Sequence, residues 1–228
     1  MIISFLSQKG GVTKSTLARA VAVAVAVAVA VAVAVAVAVA VAVAVAFAEN
    51  DWSVHLADMD WQQQTCGKWT ARRDDKKLEP SISSSSHRRV DTALKNEELY
   101  NLLIVDGRPA SDQDSILIAK ASSLVVLPTG TSLDDLEPQL NLANDFKMNG
   151  IGNEKILFVV NKATTDSEAS NAIETIKAWG FSVCSNVIPF KAGYSSAQDQ
   201  GLSVTETRFP SLNVLTSNVV QEIVDLMI

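Results

Sequence analysis

The chain has 228 residues, a length that predicts one domain with a sizeable core. Its net charge of −6 excludes a global basic field for nucleic acid, so any DNA binding would come from a local patch. Two cysteines without CxxC spacing argue against a zinc or disulfide framework, and the first residues lack the features of a signal peptide, which together predict a reducing, cytoplasmic location.

The chain opens with the apolar run IISFL at residues 2–6, which predicts a short buried strand. The sequence SQKGGVTKST follows at residues 7–16, and residues 16–20 have the composition of a helix start. A strand, a glycine-containing turn and a helix start are the setting of a phosphate-binding loop. An ordinary turn is the alternative interpretation.

The residue types of this loop suit a nucleotide. Gly10 and Gly11 would let the backbone approach an anion and point amides at it. Lys14 would reach the β- and γ-phosphates, and Ser15 would offer its hydroxyl to Mg²⁺. The common P-loop pattern has glycine directly before the lysine, but Thr13 stands there in this chain.

The stretch fits the variant pattern KGGxxK[ST], with a second lysine, Lys9, at its head. In this it resembles the ParA/MinD family of deviant Walker A ATPases, which partition or position cargo. The resemblance implies that Lys9 crosses a dimer interface to the partner's nucleotide, so that two ATP molecules lie between two subunits; a solvated loop lysine is the alternative. It also implies a continuous set of nucleotide-binding residues: Lys9, Gly10, Gly11, Val12, Thr13, Lys14, Ser15 and Thr16.

Residues 20–46 are a perfect alternation of alanine and valine. A transmembrane helix is one interpretation, because the apolar run exceeds the roughly 20 residues that span a bilayer. A strand is another, because period two and valine favour β-structure. We favour an expanded repeat within the first helix, because the interval from Lys14 to Asp58 is about twice that of the resembled family. As a helix the repeat would add about 40 Å and protrude with every face apolar.

Residues 53–57 alternate and predict a strand that leads into two acids, Asp58 and Asp60, at the end where α/β sheets bind ligands. The resembled family has D-x-D-P-Q here, whereas Trp61 replaces the proline in this chain. The resemblance implies that Asp58 or Asp60 is catalytic: it orients the attacking water or holds a Mg²⁺-bound water. The alternative is a pair of surface acids capping a helix at 62–70.

Residues 68–89 are basic and rich in serine, with acids that dilute the charge. We predict a solvated loop, with a DNA or partner surface as the alternative. The candidate DNA-binding residues are Arg72, Arg73, Lys76, Lys77, Arg88 and Arg89, together with Lys191 and Arg208 near the closing helix.

Residues 100–105 form a nearly continuous apolar run that ends at Asp106, which predicts a buried parallel strand. The resemblance implies that Asp106 is the Walker B aspartate and holds a Mg²⁺-bound water. It further implies that residues 107–109 form a loop that senses the γ-phosphate. Arg108 in that loop is alternatively a surface arginine.

The rest of the chain alternates: helices are predicted over 111–122, 132–148, 167–179 and 211–228, and strands over 124–128, 155–160 and within 181–189. This alternation predicts an α/β fold with a doubly wound, mostly parallel sheet. We expect a single P-loop domain over residues 1–228, with the repeat as an insert at about 20–46. In the resembled family the positions of Asn161, Pro189 and Phe190 line the adenine.

The resemblance implies a ParA-type ATPase that uses ATP and Mg²⁺, forms a homodimer and moves plasmid or chromosome DNA over the nucleoid, with a ParB-like adaptor and non-specific DNA as partners. A positioning ATPase for a protein cargo and a MinD-like membrane-cycling regulator are alternatives. The second is disfavoured, because the last helix has Glu222 and Asp225 but no Lys or Arg for anionic lipid. A reductase like the nitrogenase iron protein is disfavoured, because Cys66 and Cys184 are not expected beside Asp106. A nucleotide-binding scaffold without turnover would be distinguished by its lack of ATP hydrolysis.

Overall fold

A central sheet organises the chain, and the computed structural model describes residues 1–8, 36–108 and 113–227 of it. The strands follow one another as β1 (Ile2–Phe5), β2 (Val54–Asp58), β3 (Ser83–Ser86), β4 (Leu102–Asp106), β5 (Leu124–Thr129), β6 (Ile156–Ala163), β7 (Ser182–Val183) and β8 (Ile188–Pro189). Their order is β3-β2-β4-β1-β5-β6-β7, with β8 beside β6, and the pairings between described strands are all parallel. The predicted parallel α/β sheet is confirmed.

Helices cover both faces of this sheet. They are α1 (residues 36–48), α2 (Thr65–Asp75), α3 (Val90–Leu94), α4 (Gln113–Ala121), α5 (Leu133–Met148), α6 (Asp166–Ala178), α7 (Ala192–Gln198) and α8 (Pro210–Asp225), with 3₁₀ turns at Lys95–Leu99 and Asn153–Lys155. Successive strand residues point to opposite faces, so each strand contributes to two apolar cores. One core joins Ile104 to α1, α2, α7 and α8, and the other joins Val105 to α3, α4, α5 and α6.

The described part of the alanine–valine repeat, residues 36–46, is helical, so the strand interpretation is wrong for these residues. Residues 39–45 are each at most 1% exposed, and they pack into the core of the first face. A helix that is apolar all round belongs in such a buried place, and the expectation of a protruding rod is wrong for this part. Residues 20–35 lie outside the described residues. Among the residues that are described, no helix is long and apolar enough to cross a membrane.

The prediction of a solvated loop over residues 68–89 is wrong in two places. Helix α2 continues to Asp75, and the serine run forms β3, which pairs with β2 at the edge of the sheet. The serine hydroxyls find partners there: Ser83 and Ser85 lie 2.8 and 2.6 Å from the two ring nitrogens of His55. Hydrogen bonding therefore replaces apolar packing as the stabilisation of this polar edge strand.

Candidate functional site

Two aspartates end neighbouring strands at the carboxyl edge of the sheet. Parallel pairing puts Asp58, the last residue of β2, directly beside Asp106, the last residue of β4. On the other side of β4, the last residue of β1, Phe5, is in register with Asp106. The segment that contains the predicted phosphate-binding loop therefore leaves the sheet next to Asp106. Doubly wound sheets bind their ligands at this edge.

Asp58 is buried, with 1% of the residue exposed, and both of its carboxylate oxygens accept backbone hydrogen bonds. The amide of Asp60 donates to Oδ1 (2.9 Å) and the amide of Cys66 donates to Oδ2 (3.0 Å). Burial raises the pKa of Asp58, and these two backbone donors oppose that rise. Asp58 thus closes the loop over residues 58–66, while its predicted part in orienting water stays a prediction.

Asp60 is only half-buried and lies within this loop. Its Oδ1 accepts the amides of Gln62 (3.3 Å) and Gln63 (3.0 Å), so the side chain shapes a turn. This turn occupies the start of the predicted helix, which is why α2 begins at Thr65 rather than at residue 62. Asp60 is the more accessible of the two acids, and this makes it the better candidate to orient a water molecule.

Asp106 is 4% exposed, and the thiol of Cys66 donates to its Oδ2 at 3.5 Å. The expectation that neither cysteine lies beside Asp106 is therefore wrong for Cys66, because the first turn of α2 folds back over the end of β4. Burial raises the pKa of Asp106 well above its ordinary value, and the adjacent charge of Asp58 adds to the rise.

The two carboxylates fit a divalent cation. They are buried side by side, and within the described chain no basic side chain forms an ion pair with either of them. Carboxylate oxygen is the ligand type that Mg²⁺ prefers, and a cation would offset the repulsion between Asp58 and Asp106. The donor set thus agrees with the magnesium role expected for Asp106.

The residues predicted to bind the phosphates lie outside the described part of the chain, so their roles stay predictions: Lys9, Gly10, Gly11, Val12, Thr13, Lys14, Ser15 and Thr16. Immediately before them, Ser7 is buried, and its hydroxyl accepts a hydrogen bond from Gln139 Nε2 at 2.8 Å. Gln139 also donates to the carbonyl of Pro128 (3.2 Å). The sequence interpretation missed Gln139, although a glutamine on the apolar face of α5, between Leu136 and Leu140, was a signal.

The predicted adenine-binding residues lie together. Asn161, near the end of β6, is in register with Ile188 of β8, and the amide of Phe190 donates to the carbonyl of Ala163 (3.0 Å). Asn161 is buried and donates to the carbonyl of Val159 at 2.9 Å, whereas Phe190 is 64% exposed. The geometry is thus compatible with Pro189 and Phe190 as an apolar surface for a base.

The predicted DNA-binding residues differ in their surroundings. The prediction is wrong for Arg73, which is fully buried and pairs with Glu206, so its charge is unavailable to a phosphate backbone. Arg89 is exposed but pairs with Asp91. The guanidinium of Arg88 lies 3.9 Å from the ring centre of Trp61, and that of Arg208 lies 4.7 Å from the ring centre of Phe209. Lys76, Lys77 and Lys191 are exposed, and Arg72 is half-buried.

No protein-family model matches the chain, and no curated protein matches it in sequence. Solved structures do match over nearly the whole length. A putative plasmid partition protein from Borrelia burgdorferi, bound to AMPPNP, has a TM-score of 0.66 at 14% identity, and the alignment covers 100% of this chain and 99% of that chain. A ParA family ATPase from Chlorobium tepidum has a TM-score of 0.65 at 16% identity, covering 96% and 98%.

The septum site-determining protein MinD from Pyrococcus horikoshii, complexed with Mg-ADP, is similar to the same degree: its TM-score is 0.65 at 16% identity, and the coverage is 99% of this chain and 96% of that chain. The chain therefore has the fold of the ParA/MinD family of ATPases.

Proposed function

We propose that the chain is a ParA-type ATPase that binds ATP and Mg²⁺ at the carboxyl edge formed by β1, β2 and β4. The observation that carries this proposal is the placement of Asp58 and Asp106 side by side, next to the end of β1, where the sequence SQKGGVTKST begins. The similarity to structures with bound AMPPNP and Mg-ADP supports it.

The roles follow from chemistry and placement. Lys14 contacts the β- and γ-phosphates, and Ser15 and Asp106 hold Mg²⁺, Asp106 through a water molecule. Bound Mg²⁺ would neutralise charge on the phosphates during transfer. Asp60 orients the attacking water, because it is the more accessible acid and its loop is fixed by Asp58.

We further propose that ATP joins two subunits, with Lys9 of each reaching the nucleotide of the other, and that hydrolysis separates them. The cycle moves a cargo: plasmid or chromosome DNA over the nucleoid, with a ParB-like adaptor, is the first candidate, and a protein assembly is the second. DNA binding then belongs to the dimer, because two copies of a weak basic patch on one assembly raise avidity. The candidates that remain after the exclusion of Arg73 are Arg72, Lys76, Lys77, Arg88, Arg89, Lys191 and Arg208.

Three variants test the ATPase. Lys14→Ala should lose ATP binding in a calorimetric titration, because the phosphates lose their main cation. Lys9→Ala should bind ATP as a monomer but fail to dimerise in light scattering. Asp60→Ala should bind ATP, release phosphate slowly and accumulate as dimer, whereas the control Asp75→Ala, an exposed acid at the end of α2, should behave as wild type. Unchanged ATP affinity of Lys14→Ala would refute the proposed site.

A salt series of DNA binding, measured with ATP and with ADP, tests the cargo. Phosphate contacts release counterions, so log affinity should fall with log salt with a slope of about −0.9 per contacted phosphate. Binding should require ATP. Equal binding in the two nucleotide states, or none with ATP at low salt, would favour the protein cargo.

A further inference from the structure

Cys66 adds a sulfur ligand to the two carboxylates at the end of β2 and β4. One donor atom each from Asp58, Cys66 and Asp106 lies within 4.8 Å of the other two, and all three residues are buried. They come from three different elements, β2, α2 and β4, so the cluster is created by the fold rather than by a local sequence motif.

The separation of these atoms matches the coordination sphere of a small thiophilic cation. Tetrahedral zinc has Zn–S and Zn–O distances of about 2.3 and 2.1 Å, which place a sulfur and an oxygen ligand roughly 3.5 Å apart. Cys66 Sγ and Asp106 Oδ2 are 3.5 Å apart. A cation between them would replace the thiol proton, which is released to solvent as the sulfur becomes a thiolate ligand.

The side chain of Asp106 is aimed into this cluster, and its hydrogen-bond partner within the described residues is the thiol of Cys66. Asp106 is 96% buried, and among residues 1–8, 36–108 and 113–227 no donor from outside the cluster reaches its carboxylate. A buried carboxylate is strongly destabilised without a counter-charge. A cation held by the three ligands would offset this cost.

Asp58 is already oriented as a ligand. Its two oxygens accept the amides of Asp60 and Cys66, and each oxygen keeps a further lone pair for a metal. Ligating carboxylates are typically fixed by such outer hydrogen bonds. Three protein ligands leave the fourth tetrahedral position open to water or to an oxygen of a bound anion.

We propose that Asp58, Cys66 and Asp106 form a binding site for a thiophilic divalent cation such as Zn²⁺. Because Asp106 is also the residue assigned to Mg²⁺, the two cations compete for it, and Zn²⁺ inhibits nucleotide turnover. Binding of the cation stands on the described geometry alone, whereas the inhibition rests on the proposed ATPase function.

The binding test uses Co²⁺ as a spectroscopic substitute for Zn²⁺, on the full chain without nucleotide. Titration should give a thiolate-to-cobalt charge-transfer band in the near ultraviolet together with the visible bands of tetrahedral Co²⁺, saturating at one ion per chain and displaced by Zn²⁺. Cys66→Ala should abolish the charge-transfer band, and Asp106→Asn should weaken Co²⁺ binding at least tenfold.

Cys184→Ala is the matched control, because Cys184 is a second buried thiol and directly follows β7, at the opposite end of the strand order from β2. Its titration should equal that of the wild type. Absence of the charge-transfer band in the wild-type protein at millimolar Co²⁺ would overturn the proposal even if a variant fails to fold. A band that survives in Cys66→Ala and disappears in Cys184→Ala would overturn it as well. If the wild-type protein shows the charge-transfer band but Zn²⁺ does not inhibit its ATP hydrolysis, the proposed competition of Zn²⁺ and Mg²⁺ for Asp106 is refuted.

Discussion

The loss of the ion pair between Arg73 and Glu206 should lower the stability of the fold substantially. Arg73 is fully buried, and its guanidinium forms a bidentate contact with Glu206, with N–O distances of 2.9 and 3.0 Å. Its remaining N–H groups donate to the carbonyls of Glu79, Pro80 and Gly201 at 2.8 to 3.1 Å. All five donors are therefore used, and the pair fastens the segment before α8 to α2.

Glu206→Ala would leave this guanidinium buried and uncompensated, and the loss of one partner of such a pair typically costs about 3–5 kcal/mol. That is a large part of the roughly 5–15 kcal/mol that stabilises a domain. The free energy of unfolding should be measured by urea denaturation followed by circular dichroism. We expect a much lower midpoint at an unchanged slope.

The control is Asp91→Ala. Asp91 also makes a bidentate contact with an arginine: Nε and Nη2 of Arg89 donate to its two oxygens at 2.9 and 2.8 Å, but the arginine and aspartate side chains are 75% and 53% exposed. Water solvates both charges when such a pair is broken, so the midpoint should not move measurably. Equal midpoints for Glu206→Ala and Asp91→Ala would refute the argument that burial decides the cost.

Two further predictions concern stability. Gly201→Ala should destabilise the fold by more than Gly150→Ala, although both glycines have positive φ (76° and 84°). A Cβ at Gly201 would lie 2.5 Å from the backbone nitrogen of Arg73, whereas a Cβ at Gly150 would have no atom within 4 Å. Equal melting temperatures of the two variants would contradict this prediction. Burial, with a smaller contribution from the charge of His87, lowers the pKa of His55 from 6.5 to about 4, so the unfolded chain binds more protons between these values and stability should fall as the pH drops from 6.5 towards 4. His55→Gln should lose less stability than the wild type between pH 7 and pH 5, and parallel losses would show that His55 has the same pKa in the folded and the unfolded chain.

The sequence predicted those elements whose signal is local. Alternation over residues 53–57 predicted β2, and an apolar run that ends in an acid predicted β4. Parallel pairing then brings Asp58 and Asp106 together. Strand β3 was missed because four serines have no apolar periodicity, and its partners, such as His55, come from another strand. The basic composition of residues 68–89 indicated that Arg73 lies on a DNA-binding surface, but amino-acid composition does not show which side chains are buried.

The contact between Cys66 and Asp106 had no signature in the sequence, because the two residues are 40 positions apart. It depends on where α2 begins, and that is decided by the turn around Asp60, which also prevents the helix from starting at residue 62. Such a contact is a product of the tertiary structure. Sequence interpretation therefore placed the carboxylates correctly and overlooked the sulfur beside them.

The alanine–valine sequence of the buried helix α1 does not determine which of its residues pack against which residues of the sheet. The sequence repeats every two residues, so sliding the helix by one alanine–valine pair brings identical side chains back into register with the sheet. Within the described residues, this alignment is set by the first residue that follows the repeat. This is Phe47, whose ring packs edge-to-face against Trp52 at 5.0 Å between centroids, while Asn50 caps the carbonyl of Ala46 at 2.8 Å. The contacts of Phe47, Asn50 and Trp52 therefore hold helix α1 in one register along the sheet, which its repeated alanine–valine pairs alone would not do.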